Sequence, residues 1–297
     1  MMTRNLLRGA LLTAVSAVSI SAAQAALVTI PNSSLLPTTQ LYTDRIGGGI
    51  GNVLVTTGGG SNANVGAANG RNDDGYTGPI NLGYSLNFFG GTYTQFWVNN
   101  NGNVSFGGGI SSFTPDGPQG ASQPIISPFF ADVDTRAAQS GVTHLRQDAG
   151  QNIVTWDNVG YYDTHGDLLN NFQLVLRSAT YAIPTGEGQI GFFWTTMGWE
   201  TGDASGGTGG FGGTPAAVGF GDGLGNGSIL AGSTEAGIAN IVRNHYVWFN
   251  LDNSMPVVAP PTNPTPTPTP VPEPGTLLLM GAGLLGLGLA RRKRAAR

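Results

Sequence analysis

The 297-residue chain has no cysteine and a single lysine, Lys293. Without cysteine there is no disulfide framework, no thiolate zinc site, no iron–sulfur cluster and no cysteine nucleophile. Charge is scarce as well. Asp, Glu, Lys and Arg make up 10% of the chain, against about 25% in an ordinary soluble domain. Seven of the 13 basic residues lie at the two ends: Arg4, Arg8, Arg291, Arg292, Lys293, Arg294 and Arg297. Between residues 26 and 272 six arginines face 16 acids, a net charge of −10. An acidic body without lysine argues against nucleic acid, whose phosphates are held by Lys and Arg. It suits a secreted protein kept soluble by its charge, or one that gathers cations. No long stretch carries a convincing helical period. What is abundant is glycine, 48 residues, within a chain that is still 40% hydrophobic and 9% aromatic. That is enough apolar matter for a folded core.

The two ends read as addresses. Arg4 and Arg8 precede an apolar stretch, Leu11 to Ile20, and then Ala23-Gln24-Ala25. A positive region, a short apolar run and an A-x-A site make a secretory signal, so residues 1–25 are expected to be removed by cleavage after Ala25, with Ala23 and Ala25 as the small residues of the site. Toward the other end, 251–270 is a Pro/Thr-rich linker, proline-dense from Pro256 and repeating Thr-Pro from Thr265 to Pro270. Such segments favour extended polyproline II and act as spacers. Gly275 to Ala290 is an uncharged Leu/Gly run of 16 residues. As a helix it spans ~24 Å, slightly short of the ~30 Å hydrocarbon core. Arg291, Arg292, Lys293 and Arg294 then form a positive-inside stop. A plain membrane anchor accounts for this order. Val271-Pro272-Glu273-Pro274, the Gly/Leu run and the basic cluster together also resemble the PEP-CTERM sorting signal, over 271–297. That resemblance implies a Gram-negative bacterium that makes exopolysaccharide, and processing by the membrane transpeptidase exosortase. It also implies transient residence in the inner membrane and a final place at the cell surface or in the extracellular matrix.

The body between the ends reads as β structure. Residues 26–79 are Gly/Asn-rich with little periodicity, and one or two short strands are expected, around Val53–Thr57. From Ile80 the signals sharpen. Tyr84, Leu86 and Phe88 alternate with polar residues, and Tyr93–Val98 is aromatic and β-branched. Asn101-Gly102 marks a hairpin, with Val104–Phe106 returning. Ile125–Val133 reads as a buried strand. Val142–Leu145, Ile153–Trp156, Phe172–Leu176, Ile190–Thr195, Ala216–Phe220 and His245–Phe249 follow, with a short helix near Glu235–Val242. The fold class expected is all-β, mainly antiparallel, sandwich-like over 80–250.

Phe88-Phe89-Gly90, Val98…Asn101-Gly102…Phe106 and Pro128-Phe129-Phe130-Ala131-Asp132-Val133-Asp134-Thr135-Arg136 then occur in order. Val154-Thr155-Trp156, Asn171–Leu176, Trp199-Glu200-Thr201-Gly202 and Ala217–Phe220 continue the series. In that order they resemble a nidogen-like (NIDO) domain. The resemblance implies a module of matrix and cell-surface proteins, associated with adhesion and without catalytic residues of its own. Many animal relatives carry cysteine-rich modules beside it. This chain has none, so any adhesive role falls on the one domain.

Asp132 and Asp134, two apart, share a face if the strand runs through them, and paired carboxylates can hold Ca²⁺. Asp163, Asp167, Asn170 and Asp203 could add oxygens from loops; the plainer reading is Asp used for local turn bonds. Glu187, Glu200 and Asp203 are the acids to weigh for glycoside hydrolysis. Glu187 reads as a solvated turn residue, and Glu200 as a surface acid beside a core tryptophan, Trp199. His144, His165 and His245 lack zinc spacing. Ser205 lacks the G-x-S-x-G elbow. Gly207, Gly209 and Gly212 satisfy G-x-G-x-x-G only by glycine abundance. Gly219–Gly227 around Asp222 reads as a flexible loop. Trp97, Trp156, Trp194, Trp199 and Trp248 are core candidates, and any that faces outward would offer a sugar platform. No cofactor is expected, calcium at Asp132 and Asp134 being the one candidate. The expected function is exported, non-enzymatic adhesion to extracellular polysaccharide or a matrix protein, with a carbohydrate-active hydrolase or a passive scaffold as alternatives.

Overall fold

A computed structural model of the chain describes residues 27–59 and 64–260. The signal residues Ala23 and Ala25, the hydrophobic run and the sorting residues Val271–Pro274 and Arg291–Arg294 lie outside the described residues. Among the described residues no helix is long and apolar enough to cross a membrane.

The strands are, in chain order, β1 (Leu27–Ile30), β2 (Leu36–Pro37), β3 (Asn52–Val53), β4 (Gly58–Gly59), β5 (Gly75–Phe88), β6 (Gly91–Asn99) and β7 (Asn103–Ser105). Then come β8 (Pro124–Phe130), β9 (Thr143–Asp148), β10 (Gln151–Tyr161), β11 (His165–Arg177) and β12 (Ile190–Met197). The last are β13 (Gly207–Thr208), β14 (Phe211–Gly212), β15 (Ala217–Asp222), β16 (Gly227–Leu230), β17 (His245–Asp252) and β18 (Met255–Val258). Among the described residues there are also two short α-helices, α1 (Tyr42–Ile46) and α2 (Ile238–Val242), and three 3-10 turns.

One sheet runs β1-β16-β15-β8-β7-β6-β5-β4, and the other β18-β17-β12-β11-β10-β9-β3, with β2 also on β17. Pairing is antiparallel throughout except β1 with β16. The two inner faces meet in one apolar core, in which Phe96, Val104 and Phe129 of the first sheet face Trp156, Phe172 and Phe192 of the second. The all-β, mainly antiparallel sandwich expected from the sequence is the fold observed. Trp156 stacks on Phe172 at 5.0 Å.

The central strands of the second sheet are buried on both faces. Along β10, Val154 and Trp156 enter the core, while Ile153 points outward into a separate apolar cluster with Val175, Phe193 and Trp248. Leu41 and Tyr42, at the start of α1, close that cluster. Beside it lies Arg177, fully buried, which donates to Gln151 Oε1 at 2.8 Å and the Gly188 carbonyl at 2.9 Å and pairs with Glu187 at 2.5 Å. Its guanidinium also sits 4.4 Å from the Trp248 ring. Glu187 is therefore no solvated turn acid but the counter-charge of a buried arginine. The residues before Ile80 are likewise more than loops, since they supply β1 to β4 and the cover of the second sheet. A boundary between 79 and 80 falls inside β5. The two-residue strands of this region are too short to show a period, which is why its contribution escapes sequence patterning.

The Asn101-Gly102 hairpin forms as expected, but its turn is inside the protein. Asn99, Asn100, Asn101 and Asn103 are all buried. The Trp156 indole N–H, from the opposite sheet, donates to the carbonyls of Asn100 at 3.0 Å and Asn99 at 3.3 Å. Gly102 has φ +76°, and a Cβ there would lie 1.8 Å from the Phe129 carbonyl oxygen. Left-handed backbone alone costs a non-glycine residue roughly 1–2 kcal/mol, and the clash adds to it. Gly102→Ala is expected to destabilise the protein by at least about 2 kcal/mol, read as a lowered urea midpoint. An unchanged midpoint would contradict the packed turn.

Candidate functional site

The buried turn builds one end of the sandwich. Asn100 N–H donates to the Gly75 carbonyl at 2.8 Å. The Asn101 side chain works in two directions: its Oδ1 accepts from Val133 N–H at 2.9 Å, and its Nδ2 donates to Asp74 Oδ1 at 2.8 Å. Thr135 clasps the preceding segment, its Oγ1 accepting from Asn72 N–H at 2.7 Å and donating to the Asn72 carbonyl at 2.9 Å. Asp73 bridges Asp134 across the backbone. These bonds lay the 72–75 turn against residues 131–135, just beyond β8.

Three carboxylates converge there. Asp73, Asp74 and Asp132 each place one oxygen within 4.8 Å of the others. Asp132 is 1% exposed and Asp73 6%, with Asp74 half-buried. Asp132 Oδ2 and Asp73 Oδ1 are both buried without a donor among the described residues. Burial, reinforced by the neighbouring carboxylates, pushes Asp132 up to about 8 and Asp73 up to about 7. Burial raises Asp74 too, against the lowering effect of the Asn101 bond.

The Asp132/Asp134 pair expected from the D-x-D spacing is not what assembles. β8 ends at Phe130, so no strand carries both acids to one face. Asp134 is taken by Arg136 in a bidentate bond, Nε to Oδ1 at 2.9 Å and Nη2 to Oδ2 at 2.6 Å, and also accepts from Thr164 N–H. The bond to Asp134 holds Arg136 above the ordinary arginine range. Arg136 reaches Asp73 as well, at 3.0 Å, and Asp163 at 3.6 Å. Asp73 and Asp74 lie about 60 residues upstream of Asp132, and no local motif announces their meeting; the one readable trace is Asn72-Asp73-Asp74-Gly75, a run of turn residues just before a strand.

The other candidates have structural partners. Asp167 accepts from Tyr161 Oη at 3.1 Å, and Asn170 holds Gly198 and Trp199 through three backbone bonds. Asp203 faces His165 at 3.2 Å at the surface. Glu200, expected at the surface, is buried and accepts from Gly237 and Ala239 N–H at the start of α2. The acids weighed for hydrolysis thus serve three separate places. His144 and His245 each bond a nearby carbonyl. Gly207–Gly212 folds as the β13-β14 ribbon and Ser205 bonds Thr114. Gly219–Gly227 is no flexible loop: β15 and β16 pair, and Asp222 closes their turn by accepting from Leu224 and Asn226 N–H. Four tryptophans are buried; Trp97, between the core residues Phe96 and Val98, is half-buried on the outer side of the first sheet.

Fold and site define an all-β, two-sheet module whose acids cluster at one end among loops. The chain belongs to the NIDO-related family, whose profile matches residues 55–250. A PEP-CTERM protein-sorting motif matches residues 270–294, the mark of an exported, exosortase-sorted protein. The chain is 34% identical over 198 residues to alpha-tectorin of Mus musculus, covering 57% of this chain and 9% of that protein. Alpha-tectorin of Gallus gallus is 30% identical over 200 residues, with the same coverage. Nidogen of Drosophila melanogaster is 27% identical over 129 residues, covering 33% of this chain and 9% of that protein. The chain thus spans about a tenth of the length of these relatives. No solved structure matches it.

The raised carboxyls have a consequence for stability in chelator. An acid whose folded pKa lies above its ordinary 3.8 binds its proton more tightly when folded. Its stabilising contribution is complete below that value and is lost as pH climbs through about 7 to 8. In chelator, the urea midpoint is therefore expected to fall from pH 4 toward pH 8, and Asp132→Asn to flatten that slope. A slope unaltered by the substitution would contradict the burial of Asp132.

Proposed function

We propose that this protein is a surface or matrix protein of an exopolysaccharide-producing bacterium, and that its NIDO-related domain is a non-enzymatic adhesive module. Its ligand is extracellular polysaccharide or another matrix protein. The observation that carries this reading is the pairing, in one chain, of a rigid two-sheet domain with a sorting motif beyond a Pro/Thr-rich spacer. The matrix association implied by the nidogen-like resemblance points the same way. The dispersal of Glu187, Glu200 and Asp203 into separate structural bonds speaks against hydrolysis, which needs two carboxyls flanking one bond. The inner membrane is a station on the route, held through the hydrophobic run until exosortase acts. Many copies at one surface would compensate for weak single contacts.

Co-sedimentation of the full chain, in mild detergent, with the producing organism's exopolysaccharide tests the ligand. Saturable binding without released oligosaccharide is expected. Released oligosaccharide would overturn the non-enzymatic reading, and absence of binding would remove polysaccharide as the ligand. In the producing cells, replacing Arg291, Arg292, Lys293 and Arg294 by alanine is expected to leave the chain at its unprocessed mass in the membrane fraction. Normal processing of that variant would contradict sorting by exosortase.

A further inference from the structure

We propose that Asp73, Asp74 and Asp132 bind one divalent cation of the calcium type, which clamps the 72–75 turn to the segment beyond β8. The ligand set differs from the Asp132/Asp134 pair that the D-x-D spacing suggests, because Asp134 is spent on Arg136. Hard cations of this kind take oxygen ligands at about 2.3–2.6 Å, so two ligands across one Ca²⁺ stand up to about 5 Å apart. The three oxygens all lie within 4.8 Å of one another, inside that limit for each pair. Mg²⁺ dehydrates reluctantly and is usually held through one or two carboxylates, so three convergent ones favour the larger ion.

Proximity of acids alone would not make a site, and the buried polar atoms supply the second observation. The carboxylate of Asp132, 99% buried by its 1% exposure, has an oxygen with no donor among the described residues and no ion-pair partner there. That oxygen is walled in by the backbone, since a Cβ at Gly202 would lie 2.5 Å from Asp132 Oδ2. Water cannot solvate it freely, and Arg136, committed to Asp134 and to the other oxygen of Asp73, does not pair with it. Asn72 has no exposure, and neither its Oδ1 nor its Nδ2 has a partner among the described residues. Its Oδ1 folds back over Gly75, across the turn that carries Asp73 and Asp74. Thr201 Oγ1, next to Gly202, is buried and unpartnered too. Native structures satisfy the large majority of such atoms. Two buried carboxylate oxygens without donors among the described residues, Asp132 Oδ2 and Asp73 Oδ1, in residues whose carboxylates converge, are an environment that a cation satisfies. A site that rests on three carboxylates falls in the weak range of extracellular modules, roughly 10⁻⁴–10⁻³ M.

The test uses the full chain in detergent, stripped with chelator and titrated with calcium chloride or magnesium chloride. Calcium at about 5 mM, above the range of such sites, is expected to raise the thermal midpoint by about 3–8 °C, with saturation near one ion per chain. Bound terbium, sensitised by nearby aromatic rings, should be displaced by calcium. Asp132→Asn and Asp74→Asn are expected to keep the native circular dichroism and weaken calcium at least about tenfold, while Asp163→Asn, outside the cluster, keeps the wild-type response. Because the half-buried Asp74 tolerates change more readily, its variant decides the matter should Asp132→Asn not fold. No shift and no terbium signal in the wild-type chain would overturn the site. So would an undiminished shift in Asp74→Asn. A response to magnesium as large as that to calcium would overturn the assignment of the larger ion. Each outcome is independent of whether polysaccharide binds.

Discussion

The buried asparagine turn is the constraint on which the rest depends. A hairpin turn ordinarily lies at the surface, where water satisfies its carbonyls. Here it is tucked under the opposite sheet, and protein groups must replace that water. Trp156 does so from across the core at the Asn99 and Asn100 carbonyls, and the Asn103 side chain does so locally at the Asn101 carbonyl. Asparagine carries both a donor and an acceptor on one short stem. Asn101 uses both to join residues that are far apart in sequence, Val133 and Asp74. The turn therefore positions the loops at one end of the sandwich as well as closing a hairpin. Its geometry leaves no room for a side chain at residue 102.

Scarcity of charge gives each buried charge a definite task. Arg177 is enclosed by aromatic rings and oxygens, with Glu187 as counter-ion, and it fastens the outer layer to the second sheet. Burial pushes the neighbouring Tyr42 phenol up to about 12, Arg177 opposing that rise, so the phenol stays neutral. Glu200 closes the start of α2. Arg136 is shared among Asp134, Asp73 and Asp163. Replacing a guanidinium by an ammonium at such forked sites would lose the bidentate geometry, which fits a body that uses arginine throughout and lysine nowhere.

The fold was legible in the sequence where its cause is local. Alternation marks β5, the Asn-Gly pair marks the turn after β6, and apolar runs mark β8, β10 and β12. Long-range matters were not legible. Strands of two residues in the N-terminal region carry no period, and their value lies in what they cover. The D-x-D spacing suggested a shared face because nothing in the local sequence says that β8 stops at Phe130. Arg136, two residues past Asp134, was the available hint that this acid had a nearer partner. The meeting of Asp132 with Asp73 and Asp74 follows from the strand order β8-β7-β6-β5, which places the end of β8 and the beginning of β5 at the same end of one sheet. Glu187 and Glu200 looked solvated because sequence shows their turns but not the layers folded over them.

The route by which the chain leaves the domain has a mechanical side. β18 is the edge strand of the second sheet and is held by four residue pairs to β17, from Asp252↔Met255 to Phe249↔Val258. The linker expected over 251–270 thus starts inside the second sheet, since residues 251–258 complete β17 and form β18, and the rest of the Pro/Thr-rich sequence follows β18. A load drawn through that tail across the strands meets the outermost pair first and parts these pairs one after another. The central strands β12, β11 and β10 bear it only after the edge has peeled away. A short edge strip thus stands between the central strands and the chain that leaves the domain, so a pull on that chain would fall first on the bonds of the sheet's edge.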